Sequence, residues 1–231
     1  MKRLVPALLI LTACANSTTS STPPPVERSR SPAASETPEQ LAATPQPKPK
    51  PKAAARCRYA FPVRPTEAAD YGSGHHDYPA TDIFAPEGAD FVAPTDGRVD
   101  FVSRTDRWDP STDDPATRGG LSIAIVGKDG IRYYGSHLRE VAAGIKRGED
   151  VRVGEKLGEI GNSGNARGVA SHLHFGISRP SFPTDWKVRR GQVSPFDYLN
   201  AWRKGEDVTP EVPDARRPRC RANSEATPEN Q

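Results

Sequence analysis

Short apolar runs separated by glycine turns fill the middle of the chain. Residues 121–126 alternate along the chain like a strand, and a turn with two glycines at 127–130 leads into a second run at 131–138. Comparable short runs recur at 99–102 and 151–161. Helical windows are few, and the clearest is 194–202 near the C-terminus. The pattern predicts an all-β, mainly antiparallel domain with a short C-terminal helix.

The N-terminus reads as an export signal. A positive start is followed by the apolar run 4–11, which is too short to span a bilayer but suits a signal peptide. The run ends in Leu11-Thr12-Ala13-Cys14, which resembles a bacterial lipobox. We therefore expect residues 1–13 to be a lipoprotein signal peptide and Cys14 to be lipidated and held in the membrane. The alternative is an ordinary secretory signal with a chance cysteine.

Composition divides the rest of the chain. Residues 14–56 are rich in Ser, Thr and Pro and then in Pro and Lys, and they lack apolar periodicity, so we predict a disordered tether. The folded domain is expected at 57–205, followed by a polar tail at 206–231. The net charge of +3 comes from mixed signs, and the lysines that alternate with prolines are too sparse for a nucleic-acid footprint.

Two cysteines, Cys57 and Cys220, flank the predicted domain. An exported protein favours pairing them, and the bridge would clasp the two ends of the domain. A free thiol or a metal ligand is the alternative, although the absence of Cys-x-x-Cys spacing disfavours metal binding.

His172-Leu173-His174 is the stretch most suggestive of chemistry. Side chains alternate faces along a strand, so the two imidazoles point the same way while Leu173 points into the core. Imidazole is both a zinc ligand and the acid/base whose pKa lies nearest neutrality. The alternative is that these two histidines only form a polar face of the sheet and have no chemical role.

The other histidines are His75 and His76, inside the cluster 74–82, and His137 at the end of a predicted strand. A catalytic zinc site usually has three protein ligands and one open position, so the cluster 74–82 is the natural source of the remaining ligands. The sequence contains no Gly-x-Ser-x-Gly and no Gly-Lys-Ser/Thr phosphate loop, which argues against a serine hydrolase and against nucleotide binding.

Four segments together resemble the LytM- or lysostaphin-like zinc metallopeptidases of the M23 family, across roughly residues 70 to 180. The segments are the His/Asp cluster before Ile83-Phe84-Ala85-Pro86-Glu87-Gly88, the turn Ala93-Pro94-Thr95-Asp96-Gly97-Arg98-Val99, the run Tyr134-Gly135-Ser136-His137-Leu138, and Gly161-Asn162-Ser163-Gly164 leading to His172-Leu173-His174-Phe175-Gly176. The resemblance implies a small β-sheet groove, or a sandwich like the duplicated hybrid motif.

The resemblance also implies a ligand set for one Zn²⁺ per domain. The family's first motif places a histidine four residues before the aspartate ligand, which fits Asp82, but Tyr78 stands four residues before it. We read a two-residue insertion with His76 as the ligand and His75 as its competitor. His174 matches the third ligand, and the family's two non-ligand histidines match His137 and His172 as catalytic groups.

The implied function is a zinc-dependent endopeptidase that hydrolyses peptide bonds in peptidoglycan stems or cross-bridges. We expect a monomer in the cell envelope, anchored through Cys14, with peptidoglycan and not nucleic acid as its partner. The alternatives are a LytM-like protein that binds peptidoglycan or activates another wall hydrolase without cleaving, and a tethered structural protein. The choice of bond depends on loops such as 104–120.

Overall fold

The structure is a computed structural model that describes residues 55–221. The predicted signal peptide, Cys14, residues 14–54 of the predicted tether and residues 222–231 of the tail lie outside that range. No helix among the described residues is long and apolar enough to cross a membrane. The strands are β1 (Val63–Arg64), β2 (Asp70–Tyr71), β3 (Thr81–Phe84), β4 (Asp90–Val92), β5 (Gly97–Ser103), β6 (Leu121–Gly127), β7 (Arg132–Val141), β8 (Asp150–Val151), β9 (Lys156–Ile160) and β10 (His172–Ser178), and the helices are α1 (Trp186–Arg189) and α2 (Phe196–Arg203).

All ten described strands belong to one sheet, and every pair of neighbouring strands is antiparallel. The main path runs β1-β4-β9-β7-β10-β3-β2, while β6 pairs with β7 and with β5, and β5 also pairs with β8. The prediction of an all-β, mainly antiparallel domain is thus confirmed: the described residues contain two short α-helices near their C-terminal end and two single-turn 3-10 helices, Thr66–Ala68 and Gly164–Ala166.

The central strand β10 has two buried faces because it separates the core from a cleft. Leu173, Phe175 and Ile177 are fully buried in the apolar core, as expected for alternate positions of a strand. The neighbouring positions His172 and His174 are also buried, and they line the cleft. The structure thus confirms that His172 and His174 point to one face of β10 and Leu173 to the other.

Helix α2 closes the core side of the sheet. Leu199 and Trp202 are buried on this helix, and the Trp202 ring stacks on Tyr59 at a centroid distance of 5.1 Å and meets Tyr133 at 6.0 Å. The helix runs from Phe196 to Arg203, so it begins two residues inside the predicted window 194–202 and ends one residue beyond it.

The two ends of the described chain meet. A disulfide joins Cys57 to Cys220, with Cα atoms 5.1 Å apart. Beside it, the amide of Cys57 donates to Arg221 O at 3.0 Å, and the amide of Arg221 donates to Ala55 O at 2.9 Å. The first and last described residues are therefore held side by side.

Candidate metal and catalytic site

Three side chains that could ligate a metal converge in the cleft. Strand register sets Asp82 on β3 directly opposite His174 on β10, and His75 approaches from the loop before β3. One potential ligand atom from each of the three residues lies within 4.8 Å of the other two. His174 Nδ1 is 2.9 Å from Asp82 Oδ1, and His75 Nε2 is 4.0 Å from Asp82 Oδ2. Two imidazoles and one carboxylate are a donor set that suits zinc.

The hydrogen bonds of His174 make its Nδ1 a natural cation ligand. Its Nε2 lies 3.0 Å from the backbone oxygen of Arg190, which can only accept, so Nε2 carries a proton. Nδ1 then faces a carboxylate oxygen of Asp82, and two lone pairs cannot approach so closely unless a second proton or a shared cation lies between them. The pair is thus built to hold a positive charge.

The pKa shifts of the other two candidate ligands, Asp82 and His75, also favour the forms that bind a cation. Burial raises the pKa of Asp82, but the hydrogen bond and positive charge of His174 outweigh burial and hold that pKa at about 2. Burial, followed by the charge of His174, lowers the pKa of His75, which favours the neutral imidazole that a metal requires. His75 Nδ1 is buried and has no hydrogen-bond partner among the described residues.

The structure favours His75 over His76, the residue predicted from the sequence. His76 lines the same cleft but is exposed and lies outside the group of convergent ligand atoms. The His75 ring is half-buried and packs on Tyr78 and His174 at centroid distances of 4.3 and 4.8 Å. Both histidines belong to an irregular loop, where no strand alternation tells which of two adjacent side chains faces inward.

Two further histidines complete the cleft, and each has one ring nitrogen fixed by a backbone oxygen. His172 Nδ1 is 2.8 Å from Ala170 O, and His137 Nδ1 is 2.8 Å from Ser163 O. Since a carbonyl oxygen only accepts, Nδ1 donates in both rings, and Nε2 is left with its lone pair. The two ring centroids are 4.9 Å apart. The arrangement leaves the Nε2 atoms of both rings without a backbone partner and oriented in the cleft.

His137 is held in an unusual backbone conformation. It was expected at a strand end, but β7 continues to Val141, and the pairing of β7 with β9 is irregular just beyond His137. Its φ of 65° lies in the left-handed region, which few non-glycine residues adopt. Its amide donates to Gly119 O at 3.0 Å. Burial, with the charges of His174 and His172, lowers the pKa of His137 to about 3.

Several residues of the cleft were not found from the sequence. Tyr78 Oη lies 3.4 Å from His174 Nε2, and burial raises the pKa of this phenol to about 12. The opposite wall comes from α1 and the residue after it, through Trp186, Arg189 and Arg190. The loop 104–120, which the sequence indicated as a specificity loop, adds Pro115, Ala116, Arg118 and Gly119 to the rim. A four-residue helix is too short to show periodicity, so no sequence signal marks this wall.

The sequence around this cleft is similar to that of known peptidases. The model of peptidase family M23 matches residues 76–188, a range that begins at His76 and includes Asp82, His137, His172 and His174. The L-Ala--D-Glu endopeptidase of Bacillus subtilis (strain 168) is 28% identical over 156 residues, which are 65% of this chain and 43% of that protein. The chain thus spans less than half of this curated relative.

Two solved structures are also similar. The catalytic domain of the antimicrobial peptidase lysostaphin from Staphylococcus simulans has 23% identity and a TM-score of 0.45, covering 58% of this chain and 95% of that chain. A putative glycyl-glycine endopeptidase LytM from Ruminococcus gnavus ATCC 29149 has 23% identity and a TM-score of 0.49, covering 65% of this chain and 62% of that chain.

Proposed function

Because residues 76–188 belong to peptidase family M23, we propose that this chain is a zinc-dependent endopeptidase that hydrolyses peptide bonds in bacterial peptidoglycan. The observation that carries the proposal is the convergence of His75, Asp82 and His174 in a cleft that also holds His137 and His172. The family relationship supplies the reaction class, and the cluster supplies the groups that the reaction needs.

The substrate follows by analogy with the curated relative. Its name specifies the bond between L-Ala and D-Glu, and we propose a bond of a peptidoglycan stem peptide for this chain. We further propose that residues 1–13 are a signal peptide, that lipidated Cys14 anchors a monomer to a bacterial membrane, and that residues 14–56 act as the tether.

His75, Asp82 and His174 would hold the zinc ion. The orphaned His75 Nδ1, the low pKa of Asp82 and the charge-holding geometry of His174 all fit a divalent cation. A bound zinc ion supplies Lewis acidity toward the scissile carbonyl and toward a water molecule. Three protein donors are the number that catalytic zinc sites use, and water or substrate would then complete the coordination.

His137 and His172 would move the protons. Each keeps a lone pair on Nε2, because Nδ1 donates to a backbone oxygen. One of them accepts the proton of the attacking water, and a protonated imidazole then donates to the leaving amine. The fixed Nδ1 donors keep both rings oriented without a carboxylate partner.

The test begins with zinc content and peptidoglycan cleavage by the full chain. We expect one zinc per chain and chelator-sensitive release of soluble peptides from purified sacculi, with new amines detected by mass spectrometry. His75→Ala and His174→Ala should lose both zinc and cleavage, whereas His172→Ala should keep zinc and lose about 100-fold or more in rate.

His76→Ala is the matched control, since His76 is adjacent in sequence to His75 but outside the ligand group. It should retain zinc. If His76→Ala loses zinc while His75→Ala keeps it, the ligand assignment is wrong and the sequence-based choice is right. Zinc-loaded protein that binds sacculi but releases no peptide from any wall type would refute the endopeptidase proposal and indicate a binding or activating role.

A further inference from the structure

Arg190 is held as a flat cationic surface in the wall of the cleft. Its guanidinium carbon lies 3.7 Å from the centroid of the Tyr78 ring and 5.0 Å from that of Trp186. All three residues line the cleft that contains the histidines. Stacking on aromatic faces restricts the plane of a guanidinium while leaving its N–H donors at the edge available.

Apart from this stacking, the guanidinium of Arg190 has no hydrogen-bond or ion-pair partner among the described residues. Its Nε is buried and makes no hydrogen bond, and no described carboxylate lies within ion-pairing distance of it. The other arginines of the cleft differ: Arg118 is paired with Asp113 through two hydrogen bonds, and Arg189 is buried over Phe101. A partly buried, unpaired cation is costly, so a site that keeps one is suited to an anionic ligand.

The backbone of the same residue fixes this cation beside the reacting groups. Arg190 O accepts the hydrogen bond from His174 Nε2 at 3.0 Å, and the Tyr78 ring under the guanidinium places its hydroxyl 3.4 Å from that same nitrogen. Tyr78 therefore contacts both the guanidinium of Arg190 and the imidazole of His174, so the cation and the proposed metal ligand share one aromatic neighbour.

We infer that Arg190 determines specificity by binding a free carboxylate of the substrate next to the scissile bond. The inference rests on the proposed function and narrows it: the substrate is an acidic stem peptide, not a neutral glycyl cross-bridge. A carboxylate can accept two parallel N–H bonds from a guanidinium, and such charge-assisted bonds are about twice as strong as neutral ones. A carboxamide in the same place keeps the shape but loses the charge.

The test compares one substrate in two charge states. Purified sacculi are divided, and the carboxylates of one half are converted to carboxamides with carbodiimide and ammonia, which leaves the peptide bonds intact. The zinc-loaded full chain should release peptides from the untreated sacculi about ten- to hundred-fold faster than from the amidated sacculi.

In Arg190→Gln the ratio of the two rates should fall toward one, mainly through a slower rate on untreated sacculi. Arg190→Lys keeps the charge without the planar fork, so its ratio should lie between those two values. Lys187→Gln is the matched control, because it removes a positive charge from α1 at an exposed position that does not line the cleft. It should behave as the parent protein. Zinc content and thermal midpoint are measured for each variant.

The outcomes separate the two proposals. If the zinc-loaded parent cleaves neither preparation, the endopeptidase proposal fails and this inference fails with it. If the parent cleaves both preparations equally, or if Arg190→Gln keeps the parent ratio, Arg190 does not read a carboxylate and the endopeptidase proposal stands. If Arg190→Gln fails to fold, Arg190→Lys decides, and an unchanged ratio in that variant overturns the inference.

Discussion

At the scale of single residues, His137 differs from the other histidines of the cleft because it is both buried and in the left-handed backbone conformation. It is buried, with an exposed fraction of 8%, and its pKa is about 3 because burial and the neighbouring histidines disfavour its charged form. In the unfolded chain a histidine has a pKa of roughly 6.5. Between these two pKa values, His137 is therefore protonated in the unfolded state and unprotonated in the folded state.

This difference predicts an acid-sensitive fold. Above about pH 6.5, His137 is unprotonated in both the folded and the unfolded state and contributes no pH dependence. As the pH falls from about 6.5 toward 3, His137 binds a proton in the unfolded state but not in the folded state. The free energy of unfolding therefore falls by up to about 1.4 kcal/mol per pH unit. Urea unfolding with chelator present, between pH 8 and pH 4, should show a shallower loss in His137→Asn than in the parent. Asparagine tolerates the positive φ of this position. Parallel curves for the two proteins would contradict the assignment.

The sequence predicted the regular part of the site better than the irregular part. Asp82, His172 and His174 lie on strands, so alternation and motif spacing were enough to predict that their side chains share one cleft, and Asp82 and His174 are opposite each other. The choice between His75 and His76 depended on a loop without a period. Arg190 carried no signal at all, because it meets His174 only when the chain folds back after β10.

At the scale of elements, the segment after β10 approaches that strand so closely that only glycine fits at one position. A Cβ on Gly176 would lie 2.2 Å from Arg190 O, which is the oxygen that accepts from His174 Nε2. Gly176 therefore allows the close approach of the backbone oxygen that orients His174, the proposed metal ligand.

Gly176→Ala should consequently disturb both packing and metal binding. The oxygen belongs to backbone and must shift, which we expect to lower the free energy of unfolding by about 1–3 kcal/mol and to weaken zinc binding by about ten- to hundred-fold through loss of the ligand's outer partner. Gly72→Ala is the matched control, because a Cβ there meets no atom within 4 Å and φ is not positive. Chemical unfolding and competitive zinc titration check both effects, and equal behaviour of the two variants would refute the role given to Gly176.

Element boundaries show the same division between periodic and aperiodic sequence. Alternation located β6, and the polar composition of 104–120 correctly predicted a segment without strands or helices. The extension of β7 through Val141 was not predicted, because residues 139 and 140 of this strand are charged and exposed. Helix α1 was not predicted because four residues are too few to show a helical period.

At the scale of the whole molecule, the disulfide between Cys57 and Cys220 closes a loop with a sequence separation of 163. The chain-entropy model gives such a closure up to about 5 kcal/mol, because the cross-link restricts the unfolded chain. The Cys57→Ser/Cys220→Ser double variant should therefore melt at least about 5 °C below the parent under oxidising conditions. Reductant should lower the midpoint of the parent and leave the double variant unchanged. Identical midpoints for the two oxidised proteins would show that the bridge contributes nothing.

The adjacency of Ala55 and Arg221 also has a mechanical consequence. The shortest covalent path between them runs from Ala55 to Cys57, across the sulfur atoms, and from Cys220 to Arg221, so it bypasses every strand of the sheet. A pull applied to the two flanking segments is carried by that short link, and the sheet bears almost none of the load. In the oxidised domain, tension between the flanking segments therefore does not stretch the sheet or distort the cleft. Only after the sulfur–sulfur bond is cleaved would the force be transmitted through the strands.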